Sequence, residues 1–290
     1  MRDILVLGGT RFFGKKLVQR LIDNGDRVVI ATRGNVQDEF GAKVQRVVMD
    51  RKNKEDLERV ASMKQWDIVY DNICFTPNDA KIACEAFGSN VQRYILTSTL
   101  AVYEADGTFH SEGDFDPHQY AIDFEKSEEL PYGEGKRASE AVFYQQSALP
   151  SVTAVRFPIV LGEDDYTKRL HFHVDRISSQ QPLGVPNLEA SLSFITSDEA
   201  ADFLFWLSNH QVDGPVNACS NGFISLDGIV ATIESATGQN AKLEETAAKS
   251  PFGVSDSWVM SPAKAQAAGF SFKALDAWFP ELVDALVKTS

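Results

Sequence analysis

The stretch "ILVLGGTRFFGKKLV", residues 4 to 18, decides how the rest of the chain is read. Its aliphatic residues run without a polar break, as in a strand buried on both faces. They stop at Gly8 and Gly9, and after Gly14 the chain resumes as an amphipathic helix. A strand, then glycines, then a helix is the pattern of a dinucleotide-binding turn. The glycines let the backbone turn tightly and approach a pyrophosphate, whose charge sits at the positive end of the helix. Gly8, Gly9, Thr10, Arg11, Phe12, Phe13 and Gly14 are therefore the expected cofactor loop. Arg11 stands where a further close-approach glycine often sits. It cannot play that part, but a guanidinium at the loop's edge can hold a phosphate through two parallel hydrogen bonds.

Outward from this turn, short apolar runs alternate with helical stretches. Strands are expected at "DILVLGG", "RVVIATR", "VQRVVMD", "DIVYDNI", "RYILTST" and "SVTAVRF", and helices near 13–24, 53–63, 77–89 and 131–148. In the second helix Leu57 and Val60 share one face and the charges take the other. This is the rhythm of an α/β fold with a doubly wound parallel sheet. The second strand ends in "IATRGN". A site for NAD usually carries Asp or Glu there to hold the ribose hydroxyls. Here Arg33 takes that place, and two arginines without a carboxylate favour a 2′-phosphate, hence NADP, with NAD as the alternative. Asp50, at the end of the third strand, is the expected partner of the adenine amine.

After about residue 160 the rhythm changes. The expected division is a dinucleotide-binding domain over 1–160 and a small substrate lobe over 161–290, partly interleaved with the sheet. "SFITSDEAADFLFWL" reads as a strand and then a helix capped by Ser197 or Asp198. "SLDGIVATIESATG" reads as a helix begun by Ser225 and stopped by Gly238.

Totals narrow the function classes. The 290 residues carry 28 basic and 41 acidic side chains, a net charge of −13. Such a surface repels nucleic acid and anionic membranes unless a basic patch overrides it, and no Lys/Arg cluster is long enough to do so. A small-molecule substrate is the expected partner. Three cysteines, Cys74, Cys84 and Cys219, make no disulfide framework and have no zinc spacing. With no signal-peptide pattern and no apolar run long enough to span a bilayer, the expected location is cytoplasmic.

"LPYGEGKRASEAVF" carries Tyr132 and Lys136, four apart at the start of a helix and so on one face. A tyrosine hydroxyl ordinarily titrates near about 10, too high to accept a proton at neutral pH. A nearby ammonium stabilises the phenolate and can also hold cofactor ribose hydroxyls. Upstream, "YILTSTLAVY" is a buried strand ending in the hydroxyls Thr97, Ser98 and Thr99. That end faces the crevice where open α/β sheets bind ligands.

In this order the motifs resemble the extended short-chain dehydrogenase/reductase superfamily, the NAD(P)-dependent epimerase/dehydratase group. "GGTRFFG", "LTSTLAVY", "PYGEGKRASE", "VRFPIVLG" and "SFITSDEAADFL" carry the resemblance over nearly the whole chain. It implies that Thr99 takes the catalytic Ser/Thr place, Tyr132 is the general acid/base and Lys136 its activator. It also implies that Phe157, Pro158 and Ile159 pass beside the nicotinamide and that Asn72 lines the cofactor groove. Members often form a homodimer through the helix that carries the Tyr-Lys pair, and Ala138, Ala141 and Val142 there suit either that face or the chain's own core. The implied reaction is hydride transfer at a hydroxyl or carbonyl carbon of a small substrate, nucleotide sugars included. Arg11 in place of the middle glycine matches atypical members, some of which bind plastid RNA and have lost the Tyr-Lys pair; here the pair is kept. The alternative is a non-catalytic NAD(P)-binding sensor or RNA-associated protein of the same fold.

"DDYTKRLHFH" invites a metal reading, but His171 and His173 are two apart and point in different directions on a helix. No metal is expected. Tyr166, Arg169 and His171 are expected at the mouth of the substrate pocket, with Arg169 able to meet a phosphate or carboxylate.

Overall fold

The structure, a computed structural model, describes residues 1–146 and 148–289. It divides into two compact units, the first made of Met1–Tyr103, Glu112–Phe157 and Ala201–Asn217. Its sheet contains β1 (Asp3–Leu7), β2 (Arg27–Thr32), β3 (Val44–Val48), β4 (Trp66–Asp71) and β5 (Val91–Thr99), then the strands Val152–Phe157 and Gly214–Asn217. In space the order runs Gly214–Asn217, Val152–Phe157, β5, β4, β1, β2, β3, and every pair is parallel. The order reverses between β1 and β4. At such a switch point the loops leave the strand ends in opposite directions and open a crevice.

The apolar runs behave as their composition requires: Ile4 to Leu7 are wholly buried. On one face of the sheet α2 (Lys54–Ala61), α3 (Pro77–Phe87) and α4 (Tyr132–Gln145) cover a core that includes Leu5, Leu7, Leu57, Val60, Phe87, Leu96, Val142 and Phe143. Helix α1 (Phe12–Asp23) follows the glycine turn and buries Leu17, Val18 and Leu21. Ala138, Ala141 and Val142 of α4 are buried within this chain, so here the helix faces its own core.

The second unit comprises Glu104–Ser111, Pro158–Ala200 and Ala218–Ser290. It contains α5 (Arg169–Ser178), and the division runs through α6 (Ser197–Leu207). The helices α7 (Leu226–Thr237), α8 (Ala263–Ala267) and α9 (Leu275–Thr289) complete it. Leu170, Val174, Phe194, Ile229, Ile233, Phe252, Phe279 and Val283 share its core. Ser225 caps α7 by accepting the Gly228 N–H at 3.0 Å, and Gly238 ends that helix in the left-handed region. At α6 the expected caps, Ser197 and Asp198, both lie inside the helix. The Thr196 hydroxyl accepts the Glu199 N–H at 3.0 Å instead, because the helix begins one residue earlier than the charge pattern suggests. Among the described residues no helix is long and apolar enough to cross a membrane.

Candidate active site

The glycine turn is tight because its own backbone needs the room. Gly8 has φ +81°, and a Cβ there would lie 2.6 Å from the Ile73 side chain. A Cβ on Gly14 would lie 2.8 Å from the Gly8 carbonyl oxygen, so α1 packs against the turn only with glycine at that position. The first helical residue, Phe12, has φ +51°. An aromatic residue in the left-handed region costs on the order of 1–3 kcal/mol and is characteristic of functional sites. The Arg11 side chain makes no cap bond at the start of α1, and no acidic residue occupies the first turn of that helix. Those backbone N–H groups and the positive end of the helix suit a pyrophosphate. Arg11 is exposed beside them, and Thr10, Phe12 and Phe13 are half-buried.

The turn is stitched to the next strands by Asn72. Its amide donates to the Gly8 carbonyl at 3.4 Å, and its carbonyl oxygen accepts the Thr97 hydroxyl at 2.7 Å. Asn72 thus ties the glycine loop to the ends of β4 and β5. The three hydroxyls of β5 diverge, because alternate strand residues face opposite ways. Thr97 meets Asn72, and Thr99, half-buried, accepts the Ala101 N–H at 3.1 Å. Ser98 points to the other face and donates to the buried Glu140 carboxylate. Of the three, Ser98 is therefore excluded from the crevice.

The start of α4 is wedged between two loops. A Cβ on Gly133 would lie 2.6 Å from the Ala101 carbonyl oxygen, just past Thr99; one on Gly135 would lie 2.6 Å from that of Phe75, just past β4. One turn on, the buried Lys136 ammonium donates to the Cys74 carbonyl at 2.6 Å and the Thr97 carbonyl at 2.8 Å. It also sits 4.7 Å from the centre of the Phe75 ring. Two of its three N–H groups are thus placed by the protein, which leaves one for a ligand. Tyr132 is 54% exposed, and its ring centre lies 6.4 Å from that of Phe75, itself exposed. Thr99 and the helix start that bears Tyr132 and Lys136 thereby gather at the ends of β4 and β5. The Phe157 ring, buried, lies 5.6 Å from the Phe13 ring.

At the β2 end of the sheet, Thr10, Thr32, Gly34, Asp38 and Arg46 help line a cleft of about 450 Å³. Arg33 is exposed beside Gly34. Asp50 is exposed, and its carboxylate accepts the Lys52 N–H at 3.0 Å.

Pro158 and Ile159 belong to the second unit, where Ile159 pairs with Phe194. So do the proposed substrate residues. Tyr166 is exposed, His171 is half-buried, and the Arg169 guanidinium donates to the Thr167 hydroxyl at 2.9 Å and the Val160 carbonyl at 3.1 Å. His173 is buried against Phe252, with ring centres 4.6 Å apart. Its Nδ1–H donates to the Arg169 carbonyl at 2.9 Å, so Nε2 accepts the Ser250 hydroxyl at 2.7 Å. Burial pushes this imidazole down to about 4. It is a structural pin. Among the described residues no group of three or more His, Cys, Asp or Glu side chains could hold a metal ion.

Sequence reasoning missed Asp71 and Arg156. Asp71 accepts from Arg51 and from the Tyr94 hydroxyl, each at 2.7 Å, and from the Ile73 N–H at 3.1 Å, fixing the loop after β4. Arg156 sits wholly buried in its strand, paired with Glu140 of α4. A charged residue inside an apolar strand run was the available signal for both.

A seven-stranded parallel sheet flanked by helices, with a glycine turn after its first strand, defines a Rossmann-type α/β fold. Residues 4–219 match the NAD dependent epimerase/dehydratase family. The chain belongs to that family. Over 254 residues it is 27% identical to the chloroplast stem-loop binding protein of 41 kDa b from Arabidopsis thaliana, covering 82% of this chain and 64% of that protein's length. Among solved structures it resembles UDP-glucose 4-epimerase from Thermus thermophilus in complex with NAD, with a TM-score of 0.76, 19% identity and 99% and 98% of the two chains covered. It likewise resembles dTDP-glucose 4,6-dehydratase from Bacillus anthracis in complex with NAD, with a TM-score of 0.79, 14% identity and 100% and 98% covered.

Proposed function

We propose that this chain moves hydride to and from a hydroxyl- or carbonyl-bearing carbon of a small substrate of the nucleotide-sugar class, with NADP preferred over NAD. The observation that carries the reading is the root of α4: the Lys136 ammonium held by the Cys74 and Thr97 carbonyls, between the strand ends that bear Asn72 and Thr99. When bound, the dinucleotide supplies the hydride donor or acceptor. The protein's own groups do the rest. The turn at Gly8–Gly14 receives the pyrophosphate at the start of α1. Arg11 and Arg33 hold the 2′-phosphate by the cleft that Thr10, Thr32 and Gly34 line, and Asp50 meets the adenine amine. Lys136 gives its remaining N–H to a ribose hydroxyl and its charge to the Tyr132 phenolate. Tyr132 exchanges the proton of the substrate oxygen, and Thr99 holds that oxygen by a hydrogen bond. Tyr166, Arg169 and His171 are assigned to the substrate.

Replacing Tyr132→Phe removes one oxygen from an exposed ring, so fold and cofactor site stay intact. Turnover is expected to fall at least about hundredfold, while dinucleotide affinity stays within about threefold of the parent. Turnover within a few-fold of the parent removes Tyr132 from the role.

A second reading, an RNA-associated protein, has the 27% identity to the chloroplast stem-loop binding protein in its favour. The net charge of −13 and the retained Thr99, Tyr132 and Lys136 weigh against it.

A further inference from the structure

Helix α4 carries three residues at successive turns of one face: Tyr132, Lys136 and Glu140. The first is exposed and the other two are buried. Glu140 is the end of a network that no part of the proposed reaction uses. Its carboxylate accepts from Arg156 Nη2 at 2.6 Å and from Nε at 3.1 Å, and it also accepts the Ser98 hydroxyl. Arg156 in turn donates to the Tyr103 hydroxyl at 2.8 Å, the Glu112 carbonyl at 3.0 Å and the Phe115 carbonyl at 3.1 Å. Its guanidinium lies 5.1 Å from each of the Tyr103 and Phe115 ring centres. Both charged side chains are wholly buried.

The placement of this pair is what gives it a use. Ser98 and Arg156 face each other in the sheet register, and the neighbouring pairs are Thr97 with Val155 and Thr99 with Phe157. The network therefore grips β5 between the residue whose carbonyl holds Lys136 and the residue proposed to hold substrate. Along α4 the two clamps are one turn apart, about 6 Å. Together the two clamps fix the rotation of this part of the helix and its height on the strand. At the start of the helix Pro131 makes no side-chain cap, and the Arg137 guanidinium adds a tie to the Val102 carbonyl at 2.7 Å, just past β5.

We propose that Glu140 and Arg156 are positioning residues: the pair holds α4 in register with β5, so that the Lys136 ammonium stays aimed at the dinucleotide ribose. The proposal rests on the dinucleotide reading above, but one of its readouts does not. Breaking half the pair would strand a buried charge and unfold the site for trivial reasons. The test variant is therefore the double substitution Glu140→Leu with Arg156→Met, which removes both charges and keeps apolar volume. Three quantities are read on the full chain: the melting temperature, the rate at which acetic anhydride acylates Lys136 by mass spectrometry, and NADP⁺ affinity. A melting temperature close to the parent's, Lys136 acylation at least tenfold faster and NADP⁺ binding about tenfold weaker are the expected results. Lys64, on the same unit, should acylate at the parent's rate. Lys136 acylation at the parent's rate in a folded double variant overturns the proposal. Should the double variant not fold, Ser98→Ala decides by the same three readouts, since it deletes one hydroxyl of the clamp and no charge. Absence of NADP⁺ binding by the parent chain would defeat the dinucleotide reading while leaving the acylation test of the clamp standing.

Discussion

Two βα turns of the same sheet, the one after β1 and the one after β4, meet the same problem in opposite ways. Each delivers a helix whose first N–H groups have no partner within the helix. After β4 the chain closes the end itself. The Thr76 hydroxyl accepts the Asp79 N–H at 3.2 Å, the Asp79 carboxylate accepts the Thr76 N–H at 3.1 Å, and Pro77 starts the helix without a donor. After β1 the N-cap side chain makes no cap bond, and the chain keeps acids out of the first turn, sets a phenylalanine in the left-handed region and adds an arginine. The closed end is what stability alone selects. The open end gives up about 1 kcal/mol of capping and retains the N–H groups for an anion.

An absent cap is not sufficient, as α5 shows. It starts without a side-chain cap at Lys168, which has φ +54°, yet His173 one turn on is pinned to the Arg169 carbonyl and to Ser250. What distinguishes α1 is the strand end, the glycine approach and the exposed arginine together.

The comparison is broken most forcefully by exchanging the two solutions. Arg11→Asp supplies α1 with the cap it lacks and puts a carboxylate where a pyrophosphate would sit. Dinucleotide affinity is expected to fall about a thousandfold, or about 4 kcal/mol, with the melting temperature unchanged or raised; calorimetric titration and a thermal melt read the two. Unchanged affinity would mean that α1 does not receive the anion.

A smaller effect separates the pinned helix from the open one. The unfolded imidazole of His173 titrates near about 6.5, the folded one near 4, so the native state binds fewer protons between those values. Stability from this site is complete above about pH 6.5 and is lost as pH falls toward 4, by up to about 3 kcal/mol. Urea melts of the parent and His173→Asn across that window should show the slope only in the parent. Equal slopes would contradict the pin.

The smallest effect is at the closed end. Thr76→Ala should cost about 1 kcal/mol in urea unfolding and leave dinucleotide affinity untouched. Loss of affinity would show that the β4 turn shares the ligand site.

The legible parts of this chain were those with a period. Continuous aliphatic runs marked β1 and β2, and the spacing of Leu57 and Val60 marked the buried face of α2. Tyr132 and Lys136 could be placed on one helical face from spacing alone; the three hydroxyls of β5 were read together, and the structure parts Ser98 from Thr97 and Thr99. The clamp beneath them was not legible. Glu140, Arg156, Tyr103 and Ser98 come from four segments, α4, the strand Val152–Phe157, the turn after β5 and β5 itself, and no local pattern announces that a strand arginine meets a helix glutamate. The second unit was harder still. Its strands, such as Ser191–Leu192 and Ile224–Ser225, are too short to alternate. The cap of α6 was missed because three hydroxyl or acidic residues in a row, Thr196, Ser197 and Asp198, all have cap chemistry, and only the backbone decides among them.

The most direct test is a fluorescence titration of the unmodified chain with NADPH and with NADH, repeated on Arg33→Ala. Saturable binding of both is expected, NADPH tighter by about tenfold in the parent and the two within about threefold in the variant. Binding of neither, or tighter binding of NADH by the parent, would contradict the assignment of the open turn and its arginines.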